Sequence, residues 1–134
     1  MKKLAFTIFA VVVLALPVCA QSIVAVADIP FGFVAGNATM PAGQYVVDVS
    51  AATSVVALVG PDLRTRFLAS IPDDERAGSS VAELVFHRYG DRNFLSGIRT
   101  TGRGREFPAS RMESEAMNMA GAARTRQVIV VAMR

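Results

Sequence analysis

The sequence predicts a mainly β fold, a small antiparallel β-sandwich or partly open barrel of about six to eight strands, with one helix in the C-terminal half. Three features carry that expectation. Apolar residues beyond position 20, many of them valine, recur with a period near two, the spacing that turns one face of a strand toward a core. Gly, Pro and Asp break these runs about every ten residues, the rhythm of short strands joined by turns. The period departs from two after Pro108, where a helix start can be read.

Residues 1–20 form a separate segment. Lys2 and Lys3 precede an apolar run over 4–16, and Pro17, Val18, Cys19 and Ala20 lead into polar Gln21 and Ser22. Positive charge, apolar stretch and small residues in that order make a secretory signal peptide, with cleavage expected between Ala20 and Gln21. The uncharged stretch over 4–18 is 15 residues, short of the roughly 20 that cross a bilayer as a helix. Cys19 raises an alternative, a lipid anchor, but Pro17 and Val18 fit poorly before an acylated cysteine. The mature chain is therefore expected in the periplasm or outside the cell, with no transmembrane segment. Cys19 is the only cysteine, so cleavage after Ala20 leaves no disulfide or thiolate chemistry.

Residues 21–134 are expected to form a single β-rich domain. They number 114, enough to bury roughly two-thirds of the unfolded surface around one core. Loss of Lys2 and Lys3 leaves 12 basic against 11 acidic side chains, a net charge of about +1. That near balance gives no reason to expect nucleic acid as a partner. Every remaining basic residue is arginine, a type that suits phosphate binding but that compositional bias explains equally well.

Taken in order, residues 23–34 read as a strand interrupted at Pro30, which has no N–H for a ladder, with Phe31 and Phe33 pointing the same way. Gly36-Asn37 and Pro41-Ala42-Gly43 mark turns. A strand over 44–50 sets Tyr45, Val47 and Val49 on one face, and strands over 54–59 and 63–70 follow, separated by Gly60-Pro61-Asp62. Residues 71–80, with their Pro, Asp, Glu and Gly, read as a solvated connection. Strands over 81–89 and 93–100 make the strongest hairpin. If Gly90 and Asp91 are its turn, His87 lies across from Phe94 and Phe86 across from Leu95. Both faces then carry apolar groups, so this hairpin is expected to be central and covered on each side. Residues 101–105 read as a mobile basic loop. Ser110 and Glu113 form a capping box that opens a helix over 111–123, with Met112, Ala116, Met119 and Ala123 on one stripe. Residues 127–133 return as a strand.

Groups able to exchange protons or attack at neutral pH are scarce. The chain has one histidine, and beyond residue 20 it has neither lysine nor cysteine. A Ser-His-Asp site can be assembled on paper from His87, Asp91 and a serine, but no serine lies in a Gly-x-Ser-x-Gly elbow, and His87 and Asp91 share one hairpin tip. No catalytic residue is expected. Asp73, Asp74 and Glu75 lack the alternating spacing and glycine of a calcium loop, so no metal or cofactor is expected either. Gly102-Arg103-Gly104-Arg105 has no interleaved aromatics for nucleic acid. Six phenylalanines, two tyrosines and no tryptophan beyond residue 20 are a poor supply for the girdles of an outer-membrane barrel.

The one dense group of polar and amphipathic residues is His87, Arg88, Tyr89, Gly90 and Asp91. Alternate strand positions share a face, so His87 and Tyr89 point together and Arg88 points away. The expected division is structural. Gly90 and Asp91 set the turn, Arg88 makes a charge-assisted hydrogen bond to a neighbouring carboxylate or carbonyl, and His87 packs beside Phe94.

Three blocks resemble a family of short, functionally uncharacterised exported bacterial proteins. They are Ile29-Pro30-Phe31-Gly32-Phe33, Pro41-Ala42-Gly43-Gln44-Tyr45, and Phe86-His87-Arg88-Tyr89-Gly90-Asp91, followed by a Pro108-x-Ser110-x-x-Glu113 helix start. The resemblance covers residues 29 to about 115. It implies export and a β fold and transfers no activity. The expected function is an exported non-enzymatic β-module that binds a partner or envelope surface. The alternative is a ligand-binding or hydrolase-like site around His87, Arg88, Tyr89 and Asp91.

Overall fold

The computed structural model describes residues 22–50, 53–73, 80–121 and 126–134. The expected signal peptide over residues 1–20 with Cys19, the expected cleavage point at Ala20 and Gln21, and Asp74, Glu75 and Ala123 lie outside the described residues.

The elements are β1 (Ser22–Ile29), β2 (Phe33–Ala35), β3 (Ala38–Met40), β4 (Gly43–Ser50), β5 (Val55–Val59), β6 (Thr65–Ala69), β7 (Ile71–Pro72), β8 (Glu83–Tyr89), β9 (Arg92–Thr100), β10 (Arg103–Glu106), α1 (Arg111–Ala120) and β11 (Gln127–Ala132). One sheet runs β1-β4-β5-β6, and the other β11-β8-β9-β10-β7 with the β2–β3 hairpin beside β9. Pairing is antiparallel except where Val34 of β2 meets Phe94 of β9.

Two seams join the sheets. Val26 and Arg134 exchange both backbone hydrogen bonds at 2.9 Å, and Ala27 bridges Met133, which ties β1 to the end of β11. On the other side β6 and β7 are one run of chain turned at Ser70, whose N–H donates to Ser54 O at 2.7 Å while Ile71 and Pro72 pair with β10. The fold is thus mainly β, a small sandwich curled toward a partly open barrel, as the sequence predicts. Counting β6–β7 once and leaving the β2–β3 hairpin aside, the described strands fill eight positions around it.

Period-two alternation builds the core. Tyr45 and Val47 are fully enclosed, with Val49 beside them, and they meet Val56 and Leu58 from β5 and Leu84, Phe86, Leu95 and Ile98 from β8 and β9. Phe31 and Phe33 both pack edge-on against Phe86, with centroids 5.0 and 5.3 Å away, so they do point the same way. The interruption at Pro30 is larger than a bulge, because β1 and β2 belong to different sheets. The Tyr45 hydroxyl donates to Pro41 O and braces the turn before its own strand. Gly43 in that turn has φ +155°, and a Cβ there would meet Pro61 Cγ at 2.5 Å.

Two expectations are corrected. The basic stretch is not a mobile loop, since Thr101 and Gly102 make the turn and Arg103–Glu106 is strand β10. Arg105 is buried there, its Nη2 donating to Ser50 O and Thr53 O at 3.3 and 3.2 Å, so the charge is spent on tying down the chain after β4. On α1 the buried stripe is Met112, Glu113, Ala116 and Ala120, whereas Met119 is 85% exposed.

Candidate functional site

The β8–β9 hairpin has the register the sequence predicts, His87↔Phe94 and Phe86↔Leu95. Gly90 takes φ +66° and Asp91 does not have positive φ, the pattern of a type II′ turn with glycine first. Phe86 and Leu95 face the main core. Tyr89 and Phe94 face the other way, where Val34, Ala116, Met112 and Ala120 cover them. The hairpin is central and covered on both faces because α1 lies across its outer side.

Between hairpin and helix sits a buried polar cluster. His87 Nδ1 is 3.3 Å from Glu113 Oε1, the Tyr89 hydroxyl donates to the same oxygen at 3.3 Å, and Ser96 Oγ is 3.0 Å from His87 Nε2. A carboxylate can only accept, so Nδ1–H donates to Glu113, and in the neutral ring Nε2 accepts from Ser96. Ser96 lies two residues beyond Phe94 on β9 and so shares its face. Burial, and then the charge of Glu113, hold the Tyr89 phenol above its usual pKa, with Arg126 opposing.

Of the predicted residues, His87 and Tyr89 enter this cluster. Arg88 is exposed on the opposite face, its Nε donating to Gly90 O at 2.9 Å, a carbonyl partner of the expected kind. Asp91 is exposed at the turn and does not join His87. Sequence reasoning missed Ser96 and gave Glu113 the wrong task. The capping half holds, since Glu113 N–H donates to Ser110 Oγ at 3.2 Å. The carboxylate does not complete a capping box; its oxygen is engaged by His87 and Tyr89.

Ser96, His87 and Glu113 make a hydroxyl–imidazole–carboxylate relay with triad-like connectivity. Chemistry there requires a substrate at Ser96 Oγ, yet Ser96 is 3% exposed. A small cavity of about 200 Å³ at the hairpin tip is lined by Tyr89, Gly90 and Met119 among others and reaches none of the three. Among the described residues, no three His, Cys, Asp or Glu side chains gather to hold a metal ion, and no helix is long and apolar enough to cross a membrane.

The larger concavity lies elsewhere. An open groove of about 720 Å³ runs along β6, facing the Gly36-Asn37 turn, Phe107 and Pro108. Phe67 on β6 is 72% exposed. Neither a family model, a curated protein nor a solved structure matches the chain.

Proposed function

We propose that this chain is an exported, non-enzymatic β-module that acts by binding a partner or envelope surface, in the periplasm or outside the cell. The leader-like composition of residues 1–20 supports export. One observation favours binding over turnover: the only histidine is enclosed with Ser96 and Glu113, while the open surface lies along β6. Enclosed groups that satisfy one another hold a helix on a sheet, and they do so without a substrate.

A hydrolase-like reading rests on the triad-like connectivity of Ser96, His87 and Glu113, with Tyr89 as neighbour. A fluorophosphonate reagent separates the two, because it esterifies a serine that is both activated and reachable. The folded protein should acquire no adduct by mass spectrometry. An adduct mapped to Ser96 would make the chain an enzyme.

A further inference from the structure

Thr65, Phe67 and Ala69 turn their backbone N–H and C=O groups away from β5. Ser70 N–H donates to Ser54 O at 2.7 Å and Gly60 N–H to Arg64 O at 3.2 Å, while Leu68 pairs with Val56 and Arg66 with Leu58. The even-numbered residues are therefore the ones bonded to β5, and the odd-numbered ones face the open side. Among the described residues β6 ends its sheet, with no strand on that side.

The opening has a cause in the sequence. β10 pairs with β7 up to Glu106↔Ile71, and its continuation would run on beside β6. Phe107 N–H only extends the β9 ladder, donating to Ser96 O at 2.8 Å, but Pro108, the next residue whose N–H would face β6, has none to continue a ladder. The strand that would cover β6 stops there, which leaves a groove with β6 as one wall and the Gly36-Asn37 turn and Pro108 as the other.

We propose that this groove receives an extended segment of a partner protein, added as a strand to β6 through the main-chain groups of Thr65, Phe67 and Ala69. Strand addition of this kind takes affinity from the backbone and specificity from alternate side chains. Arg66 is the one ionisable residue lining the groove, so the segment carries a carboxylate among alternating apolar residues. The proposal rests on the binding-module reading above.

The test is amide hydrogen exchange by NMR with an acetylated, amidated heptapeptide, Val-Thr-Val-Glu-Val-Thr-Val. The same peptide with proline at its third and fifth positions serves as control. The first peptide should slow exchange at Thr65, Phe67 and Ala69 by about tenfold or more and leave Arg66 and Leu68 unchanged. The proline peptide should do nothing. Phe67→Pro removes an outward N–H that an edge strand can spare; it should keep the protection of Arg66 and Leu68 and lose the peptide effect. No protection by the first peptide, or equal protection by both, overturns the proposal. Protection that appears without peptide and grows with protein concentration also overturns it, because the occupant is then a second copy. Fluorophosphonate labelling of the same sample keeps the two readings apart. Peptide failure with Ser96 unlabelled removes strand addition alone, whereas labelled Ser96 removes the module reading itself.

Discussion

His87 Nδ1 and Glu113 Oε1 lie 3.3 Å apart across 26 residues of sequence, joining β8 to α1. The helix needs that tie. It has ten residues, fewer than the roughly 12–15 at which isolated helices become even marginal in water. Its buried side also rests on small side chains, Ala116 and Ala120, with one methionine, Met112. A buried carboxylate shared by a histidine and a tyrosine fixes where α1 sits, which apolar contacts of that size leave loose.

The turn of the same hairpin depends on Gly90. Its φ is +66° and a Cβ there would meet nothing within 4 Å, so the effect of a substitution is confined to the backbone. Gly90→Val should cost about 1 kcal/mol or more in urea unfolding, and Asp91→Ala at the exposed neighbouring position should cost less.

The chain's two tyrosines should titrate late. Burial is the larger cause for both, followed by the charge of Asp62 at Tyr45 and of Glu113 at Tyr89, against the pull of Arg66 and Arg126. A raised folded-state value means the folded chain keeps protons that the unfolded chain releases near pH 10. The resulting stability is whole below that pH and is lost as pH rises through the folded values. Tyrosinate absorbance should therefore rise at higher pH in the folded protein than in urea, with unfolding accompanying it.

Leu63 occupies the left-handed region, φ +60°, while 84% exposed. It ends the three-residue loop 61–63 closed by the Gly60–Arg64 pair, where Leu63 N–H donates to Gly60 O at 3.0 Å, a position that usually takes glycine. Leu63→Gly relieves about 1–2 kcal/mol of backbone strain and gives back about 0.5–1 kcal/mol in unfolded-chain entropy. The variant should melt slightly above the wild type.

Export is checked by intact mass. Expressed in a bacterium with residues 1–20 in place, the protein should be recovered outside the cytoplasm with the mass of residues 21–134. A lipid-bearing species beginning at Cys19 would make it membrane-anchored.

Local features were legible in the sequence and distant partnerships were not. Gly90-Asp91 between alternating strands fixed the register of His87 and Phe94, and Ser110 announced the start of α1. Glu113 was misread because a capping box is a local motif, whereas its partners, His87 and Tyr89, lie 26 and 24 residues away. Ser96 shares the face of Phe94 by strand alternation, so its place beside His87 was within reach of the register the hairpin turn sets. Arg103 and Arg105 looked like loop because glycine alternates with them. Pairing to β9 overrode that propensity, since Arg105↔Ile98 and Gly104↔Arg99 continue a ladder already begun. The groove along β6 follows from Pro108 only once β7 and β10 are known to be neighbours.

A double-mutant cycle on His87 and Glu113, read by urea unfolding, addresses the role of the buried cluster most directly. His87→Ala or Glu113→Ala alone leaves a buried polar partner unsatisfied and should cost about 1–3 kcal/mol. The double variant should cost less than the two together, with a coupling of about 1 kcal/mol or more. Losses near zero for each single variant, or strict additivity in the pair, would contradict a structural tie between β8 and α1.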